Sequence, residues 1–469
     1  MPSFNQNDTI AAIATPIGDG GIGIVRLSGK RALSIANKIF VSPNGKKPST
    51  FASHSINYGW ITSRFYTRSA GKPPEVIDEV ILTVMRAPRS YTREDVVEIN
   101  CHAGIVVLRV VLELVLANGA RLAEPGEFTR RAFLNGRIDL SQAEAVLDVI
   151  RAKTDSALKV GIDQLKGGLS SRINRLRDKL LSMLSIFEAN IDFPDEEITP
   201  ADLENCRRKI SGIGAELKNI LESSRFGKIM REGIKAVICG KPNVGKSSLL
   251  NALLKQERSI VSSMAGTTRD TIEEIIDIRG VPVRIVDTAG IIEPRDLVEK
   301  KAVRRAKKHI SDADLVILMF DASKRLDKYD NSLIKKIGTK TTVAVINKID
   351  LKSRIQKDRV YKKFSGVVEI SAKRLKNIDL LEEAILNLVY HGKVSVRDSA
   401  IASNARHIQA LKKASEFILA ADKSLGQNLT LEVIAQDIKD ALACFDDIMG
   451  RRFSSDLLDK IFSQFCIGK

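Results

Sequence analysis

The central part of the chain contains a glycine-rich segment that is compatible with few folds. Residues 240–247 read GKPNVGKS; they follow the apolar run 236–239 and precede leucines at helical spacing. A strand, a glycine loop and a helix in this order form a P-loop, in which backbone N–H groups and the helix N-terminus face phosphate groups. We expect Lys246 to contact the β- and γ-phosphates and the Ser247 hydroxyl to bind Mg²⁺.

A second polar motif follows the strand-like run 283–286. It consists of Asp287, Thr288, Ala289 and Gly290. In a GTPase, an aspartate at this point holds Mg²⁺ through water, and the glycine N–H detects the γ-phosphate. Taken alone, Asp287 is equally well explained as a cap at the end of a strand.

Two later motifs predict which base is bound. The first consists of Asn347, Lys348, Ile349 and Asp350, and the second of Ser371, Ala372 and Lys373. A carboxylate in the first motif is able to accept from both guanine N1–H and N2–H, which adenine does not offer. Asn347 alone would be an ordinary turn residue. Four motifs in this order, each after an apolar run, predict a doubly wound GTP-binding domain with its ligand at the strand ends.

The composition of the 469-residue chain, with 44% hydrophobic and 28% charged residues, is that of a globular protein of several domains. No apolar run approaches the roughly 20 residues that span a bilayer. The most apolar stretch, residues 105–117, includes Arg109 and Glu113 and predicts an amphipathic helix. No secretory signal is visible at the start, and the five cysteines lack disulfide or zinc spacing, so we expect a cytoplasmic protein.

The formal net charge of +17 favours a polyanionic partner such as RNA. A lysine-rich surface that serves solubility is the alternative explanation. The chain contains no separate basic tail and no aromatic-rich RNA-binding motif. Charge therefore points towards nucleic acid without identifying it.

The sequence predicts a multidomain protein of α/β and α+β type. Residues 1–136 are rich in glycine, β-branched residues and turns and predict an α+β domain. Residues 137–231 and 394–469 show helical periodicity and predict one discontinuous helical domain, with the GTP-binding domain, 232–393, inserted between them. Within the first helical part, Ser141 and Glu144 have capping-box spacing at a helix start.

The GTP-binding domain lacks the usual catalytic side chain. Ras-type GTPases orient the attacking water with a glutamine after the Asp-x-x-Gly motif, where this chain has Ile291. Arg269 and Arg295 lie near the switch segments, but an arginine there is more often a surface ion-pair partner. Another group must position water, and another positive charge must stabilise the transition state.

Four features of the chain belong together: the P-loop with Asn243, GTTRD at 266–270, the apolar Ile291 and CIGK at 466–469. In combination they resemble the tRNA modification GTPases of the MnmE (TrmE) family. Similar stretches extend over nearly the whole chain: DTIA at 8–11, PGEF at 125–128, RAFLN at 131–135, DFPDEE at 192–197 and FSQF at 462–465.

For the GTP-binding domain, the resemblance implies a K⁺ ion, one per subunit, held by Asn243, Ser262, the Met264 carbonyl and Thr267. It implies Thr268 as a second Mg²⁺ ligand beside Ser247. The water-orienting residue would be Glu299, twelve residues after Asp287, which is otherwise an exposed helix carboxylate. The implied GTP contacts are Asn243, Val244, Gly245, Lys246, Ser247, Ser248, Ser262, Ser263, Met264, Ala265, Gly266, Thr267, Thr268, Asp287, Thr288, Ala289, Gly290, Asn347, Lys348, Ile349, Asp350, Ser371, Ala372 and Lys373.

For the rest of the chain, the resemblance implies an N-terminal domain that dimerises and binds 5-formyl-tetrahydrofolate. The matching positions are Arg26, Glu98, Arg137 and Lys469, for which surface pairing is the alternative. Family members often have lysine at position 137, so the charge is kept there while the geometry differs. Cys466 has two open explanations, a reactive thiol beside Lys469 or a small residue that packs the last helix.

The activity that the resemblance implies is K⁺-stimulated GTP hydrolysis coupled to tRNA modification. A homodimer would act with a flavin-dependent MnmG (GidA) partner and add a carboxymethylaminomethyl-type group at C5 of the wobble uridine. Two alternatives stay open at this point. One is a ribosome-assembly GTPase of the same K⁺-dependent class, and the other is a folate-dependent one-carbon enzyme with a regulatory GTPase insert.

Overall fold

The computed structural model of the protein describes residues 8–63, 75–193, 199–256, 273–287, 310–390, 402–427 and 429–469. The chain divides into two compact units. Unit 1 comprises Met1–Leu147 and Asp446–Lys469, and unit 2 comprises Asp148–Phe445. The domain limits that the sequence suggests do not coincide with these units, because residues 137–147 and 446–469 of the predicted helical domain lie in unit 1. Those limits stay predictions.

Unit 1 is built on a mixed seven-stranded sheet. Its strands are β1 (Ile10–Ile13), β2 (Gly23–Ser28), β3 (Phe40–Val41), β4 (Ser55–Ser63), β5 (Glu75–Met85), β6 (Val96–Cys101) and β7 (Arg121–Leu122). Their order across the sheet is β3-β4-β5-β6-β2-β1-β7, antiparallel except for the β1–β7 pair. The helices of unit 1 are α1 (Ala32–Ile39), α2 (Ile105–Ala117), α3 (Glu127–Leu134) and most of α4 (Leu140–Arg151), followed near the C-terminus by a last helix, Ser455–Phe462.

Period-two alternation explains how this sheet forms its core. Along β6, Val97 and Ile99 are buried, whereas Glu98 lies between them and is more exposed. Helix α2 covers the apolar face with Leu108, Val111, Leu114 and Val115. The predicted amphipathic helix at 105–117 is thereby confirmed; Arg109 and Glu113 form an exposed ion pair on its outer side.

A buried cluster of charged side chains ties α3 to the start of β1. Arg131 is 2% exposed and its guanidinium contacts the carboxylates of Asp8, Glu94 and Glu127. Arg121 also binds Asp8 and Glu127. Burial acts to raise the pKa of Asp8, but hydrogen bonds from Arg121 and Arg131 outweigh it and lower the pKa overall. Asp8 therefore stabilises unit 1 fully above its unfolded-state pKa, and this contribution is lost as the pH falls through the lowered value.

We expect Arg131→Met to destabilise unit 1 by about 3 kcal/mol, because three carboxylates lose their shared buried counter-charge. The fluorescence of Trp60, the only tryptophan of the chain, reports unfolding of this unit in urea. The matched control is Arg109→Met, which removes an exposed pair and is expected to cost less than about 1 kcal/mol. Equal costs for the two variants would show that the buried cluster contributes no special stability.

Unit 2 begins with helices, one of which carries a buried apolar stripe. They are α5 (Asp155–Leu165), α6 (Gly168–Asp192) and α7 (Pro200–Glu232), with the C-terminal part of α4 before them. Along α6, Ile173, Leu176, Leu180, Leu184 and Phe187 are buried at the spacing seen in the sequence. Helix α7 packs against a later helix, Ala405–Gly426; an added Cβ at Gly214 would lie 3.8 Å from Ile418.

The capping box predicted for Ser141 and Glu144 is wrong, because the capping pair at the start of α4 is Asp139 and Gln142. The N–H of Gln142 donates to Asp139 Oδ1 (2.9 Å), and the Gln142 side chain accepts from the Asp139 N–H (3.0 Å). Ser141 instead donates its hydroxyl to Asp139 Oδ1 (2.8 Å). Asp139 and Gln142 have the same three-residue spacing as Ser141 and Glu144, and an ionised carboxylate is the stronger acceptor.

The second sheet has the topology expected for the GTP-binding motifs. Its strands are β8 (Ile234–Gly240), β9 (Glu273–Ile278), β10 (Val281–Asp287), β11 (Leu315–Asp321), β12 (Thr342–Asn347) and β13 (Gly366–Glu369). They are ordered β13-β12-β11-β8-β10-β9 and are parallel except for the β9–β10 hairpin. The associated helices are α8 (Lys246–Gln256), α9 (Lys328–Ile337), α10 (Lys357–Tyr361) and α11 (Ile378–Tyr390).

Connections on both sides of β8 make its C-terminal end a topological switch point, where ligands bind in such sheets. Unit 2 continues with α12 (Ala405–Gly426) and most of α13 (Leu431–Met449), and the last helix of unit 1 is α14 (Ser455–Phe462). The predicted class is confirmed: an α+β domain, a helical part and a doubly wound P-loop domain in one chain. Within the described ranges, no helix is both long and apolar enough to cross a membrane.

Candidate functional site

The P-loop connects β8 to α8 through residues in unusual backbone conformations. Asn243 and Gly245 have φ angles of 63° and 101°, in the left-handed region. A side chain at Gly245 would collide with the amide of Asn347, so only glycine fits this close approach. Lys246, the first residue of α8, has its Nζ 3.1 Å from the Gly240 carbonyl and 2.9 Å from the Lys241 carbonyl. Lys246, which is predicted to bind phosphate, thus has its ammonium group within hydrogen-bond distance of the P-loop carbonyls.

Residues 347–350 at the end of β12, here called the guanine motif, hold the P-loop in place from one side. Asn347 is buried; its Nδ2 donates to the Val244 carbonyl (2.8 Å), and its Oδ1 accepts from the Ala372 N–H (3.0 Å). Lys348 Nζ donates to the Asn243 carbonyl (2.6 Å) and pairs with Asp321 at the end of β11 (2.7 Å). The three motifs therefore form one connected assembly at the C-terminal edge of the sheet.

The Asp350 carboxylate is oriented by the following motif. The Ser371 hydroxyl donates to Asp350 Oδ1 at 2.6 Å, and this hydrogen bond lowers the pKa of Asp350. Asp350 stays ionised at neutral pH and accepts hydrogen bonds through both oxygens. A pair of acceptors held in this way matches the N1–H and N2–H donors of guanine.

Part of the predicted GTP site lies outside the described residues. This applies to Ser262, Ser263, Met264, Ala265, Gly266, Thr267 and Thr268, to Thr288, Ala289 and Gly290, and to Ile291, Arg269, Arg295 and Glu299. Asp287 ends β10, directly beside β8 in the sheet, which brings its backbone to the edge where the P-loop lies. Ser247 and Ser248 lie in the first turn of α8, whose N-terminus points its N–H groups at the loop.

Unit 1 brings together the residues that were predicted to bind folate. Arg26 on β2 and Glu98 on β6 are register partners and form an ion pair of 2.7 Å, each with 19% of its side chain exposed. The Arg26 guanidinium also lies 5.7 Å from the centre of the Phe128 ring. A carboxylate and a cation beside an aromatic face suit a flat heterocycle with a donor edge.

Arg137 reaches the same neighbourhood from just after the end of α3. Its guanidinium lies over the Tyr91 ring at 4.8 Å and donates to the Tyr91 carbonyl (3.1 Å). Burial raises the pKa of Tyr91, while the hydrogen bond with Thr129 and the charges of Arg137 and Arg26 act in the opposite direction. Both predicted arginines therefore act on one partly buried phenol.

The C-terminal residues fold back onto this cluster. Arg26 Nη1 donates to the Gly468 carbonyl (3.2 Å), and the Phe128 N–H donates to an oxygen of Lys469 (3.2 Å). Gly468 has φ 94°, and a Cβ there would collide with the backbone of Ile13 and Ala14 at the end of β1. The glycine of the CIGK tail is thus required by a close backbone approach.

Cys466 differs from the other four cysteines. Cys101, Cys206, Cys239 and Cys444 are buried, whereas Cys466 is exposed, and none of the five is in a disulfide. Burial raises the pKa of both Cys101 and Cys239 to about 11, which keeps those thiols protonated and inert. The Cys466 carbonyl accepts from the Gly126 N–H (3.4 Å), so its backbone is anchored while the residue stays accessible to solvent.

Several residues of these sites were not found by sequence reasoning. Tyr91 and Phe128 form the aromatic part of the unit 1 cluster, and Asp321 holds Lys348. Only Asp321 carried a usable signal, because a polar residue ends the apolar run 315–320 in the same way that Asp287 and Asn347 end theirs. Within the part of the chain that the structure describes, no group of three or more histidine, cysteine or acidic side chains is arranged to hold a metal ion.

Comparisons with known proteins agree with this arrangement. A family profile described as "MnmE helical domain" matches residues 140–466, and one described as "GTP-binding protein TrmE N-terminus" matches residues 9–137. A protein from Desulforamulus reducens named "tRNA modification GTPase MnmE" is 45% identical over 466 residues, covering 99% of this chain and 100% of the relative. A protein of the same name from Bacillus subtilis is 46% identical over 465 residues, covering 98% of this chain and 100% of the relative.

Among solved structures, a variant of Era from Aquifex aeolicus bound to GDP and AlF4⁻ is 32% identical to this chain. The match covers 40% of this chain and 67% of the other, with a TM-score of 0.28.

Proposed function

Because this chain belongs to the family of tRNA modification GTPases named MnmE, we propose that it couples GTP hydrolysis to modification of the wobble uridine of tRNA. The family assignment makes the chain a GTP-hydrolysing enzyme that uses Mg²⁺ and acts in tRNA modification. We propose the finer chemistry as addition of a carboxymethylaminomethyl-type group at uridine C5, with a flavin-dependent MnmG-type protein as partner.

The observation that carries this proposal is the seating of the C-terminal tail beside Arg26 and Glu98. A GTPase that works only as a binding switch has no need for an ion pair, two aromatic rings and a chain terminus assembled on a separate sheet. An exposed thiol three residues before that anchored terminus supports covalent or redox chemistry at the site. GTP hydrolysis and one-carbon chemistry would then reside in different parts of one chain.

For the GTP site we propose a bound K⁺ ion. Such an ion would supply positive charge next to the β- and γ-phosphates as the terminal phosphate leaves. The proposed K⁺ ligands are Asn243, Ser262, Met264 and Thr267, and Asn243 is the one that the structure describes. Its left-handed backbone is held by the Lys348 ammonium (2.6 Å from the Asn243 carbonyl), which fixes where its side chain begins. We propose Glu299 as the residue that orients water.

For unit 1 we propose binding of 5-formyl-tetrahydrofolate or a related folate. The pterin edge presents N–H donors like those of guanine, and Glu98 is a half-buried carboxylate able to accept them. Arg26 and Arg137 would serve the pterin carbonyl or the glutamate tail, and the Tyr91 and Phe128 rings offer faces for stacking. Lys469 would close the pocket at the chain terminus.

We also propose that the protein is a homodimer that acts in the cytoplasm. Support for dimerisation comes from the open face of the unit 1 sheet. There Ile56, Tyr58 and Ile81 lie on adjacent antiparallel strands and are 74%, 47% and 42% exposed. An apolar patch of this kind is typical of a protein interface.

A substitution at Cys466 tests whether GTP hydrolysis and tRNA modification depend on different parts of the chain. We expect Cys466→Ser to leave GTP turnover within about twofold of wild type, since the exposed thiol lies in unit 1 and the P-loop in unit 2. It should reduce tRNA modification at least tenfold if the thiol acts chemically. The measurement is nucleoside mass spectrometry of tRNA after reaction with the partner flavoprotein, GTP and folate.

The exposed Ser463→Ala is the matched control and is expected to change neither activity. Loss of GTP turnover in Cys466→Ser would mean that the residue is structural. Full modification by the serine variant would contradict a chemical role for the thiol.

A further inference from the structure

The first lysine of the P-loop forms an ion pair that the GTP site described above does not use. Lys241 Nζ lies 2.6 Å from Asp327 Oδ2 and 2.5 Å from Asp330 Oδ2. The lysine side chain is 18% exposed and that of Asp330 is 7% exposed, whereas that of Asp327 is 59% exposed, so the Lys241–Asp330 pair is the one shielded from water. Exposed pairs contribute little, but a shielded pair is costly to break because it leaves a buried charge without its partner.

The two carboxylates are themselves held in place. Asp327 is the N-cap of α9; its Oδ1 accepts from the N–H groups of Tyr329 (2.8 Å) and Asp330 (3.2 Å). Asp330 returns a bond by accepting from the Asp327 N–H (3.0 Å), which completes a capping box. Lys241 therefore binds a rigid helix start, and that helix follows β11, the direct neighbour of β8.

An anchor at Lys241 would limit the conformations of the P-loop, whose backbone contains two left-handed residues. Asn243 and Gly245 have positive φ angles, and α8 begins at once after them. The guanine motif fastens the far end of the loop through the Asn243 and Val244 carbonyls. Lys241 fastens the near end, directly after β8, so the loop is fixed on both sides.

The charges around Lys241 also matter for a polyphosphate ligand. Asp327 and Asp330 bear two negative charges next to a loop that receives a triphosphate, and the Lys241 ammonium neutralises one of them. The hydrogen bonds and positive charge of Lys241 lower the pKa of Asp327 overall, so this carboxylate stays ionised at neutral pH. Without the lysine, both carboxylates would repel the phosphates.

We propose that Lys241 is a positioning residue for nucleotide binding, which fixes the near end of the P-loop on the α9 capping box and screens its two carboxylates from the phosphates. This role depends only on GTP binding, not on K⁺, folate or tRNA.

The test uses the full chain and a fluorescent GDP analogue. We expect Lys241→Met to raise the Kd for GDP and GTP and the KM for GTP by about tenfold, mainly through faster nucleotide release. At saturating GTP, kcat should stay within about twofold of wild type, because the substitution weakens binding of the substrate and of the transition state equally. Lys241→Arg, which keeps the charge, should restore affinity to within about threefold.

Two further variants separate positioning from a general loss of stability. Adding Asp330→Asn to Lys241→Met removes one unpaired carboxylate while keeping a side-chain oxygen that is able to accept from the Asp327 N–H. This second substitution should recover part of the lost affinity. Lys439→Met breaks an ion pair with Glu188 in the helical part of the same unit and should leave nucleotide affinity unchanged. A folded Lys241→Met protein with wild-type affinity and release rate would overturn the proposal. A fall in kcat equal to the rise in KM, or no recovery with Asp330→Asn, would also overturn it.

Discussion

Asp350→Asn should weaken GTP binding by about a thousandfold, which is the largest effect we expect from a single substitution. The carboxylate offers two acceptors to the N1–H and N2–H groups of guanine, and an amide replaces one acceptor with a donor that faces a donor. The Ser371 hydroxyl, 2.6 Å from Asp350 Oδ1, holds the side chain in place, so it cannot easily turn away from the mismatch.

The same substitution should create a new preference. Xanthine has a carbonyl where guanine has its 2-amino group, and that oxygen is able to accept from the side-chain amide of the Asp350→Asn variant. We expect xanthosine triphosphate to be hydrolysed by the variant at a rate near that of GTP by wild type. Turnover of both nucleotides is measured by phosphate release, with Asp358→Asn, in the first turn of α10, as the matched control. Unchanged GTP affinity in Asp350→Asn would contradict the prediction that Asp350 binds the guanine base.

GTP hydrolysis should be on the order of a hundredfold faster in K⁺ than in Na⁺ at equal ionic strength. Ile291 is unable to orient water, and we propose that a cation takes the place of an arginine at this site. A K⁺ ion at the P-loop would stabilise the charge that develops on the leaving phosphate, and we expect the smaller Na⁺ to fit the proposed ligand set less well.

A matched substitution links this salt effect to one side chain. Asn243→Gly keeps the left-handed conformation that position 243 requires but removes the amide oxygen. It should lower the K⁺-stimulated rate to the Na⁺ rate and leave the affinity for GDP nearly unchanged. Equal rates of the wild-type protein in the two salts would contradict the cation assignment.

The GTP motifs and most elements are predictable because their signals are local. Each of the motifs follows an apolar run, and the four runs together predict that Lys246, Asn347 and Asp350 lie at one edge of a sheet. The apolar stripe of α6 and the amphipathic α2 are likewise read directly from residue spacing. Only the capping box at α4 was assigned to the wrong pair, since two overlapping patterns share the same spacing.

Contacts between distant parts of the chain are not predictable in this way. The Arg26–Gly468 hydrogen bond joins residues 442 positions apart, and no periodicity in either segment indicates it. The pairing of Lys241 with the cap of α9 is similar, because the P-loop pattern specifies no residue type at position 241 and the pairing becomes visible only when β11 is placed beside β8. Resemblance to a family supplied the candidate residues of unit 1, and the geometry adds Tyr91 and Phe128 to them.

Nucleoside analysis tests most directly whether this GTPase modifies the wobble uridine of tRNA. Total tRNA from cells that lack the protein would be digested and its wobble nucleosides measured by mass spectrometry, with cells that express the wild-type chain as reference. We predict that the carboxymethylaminomethyl-type uridine disappears without the protein and returns with it. Unchanged wobble uridines together with a ribosomal-subunit defect, or with altered one-carbon metabolites alone, would contradict the account.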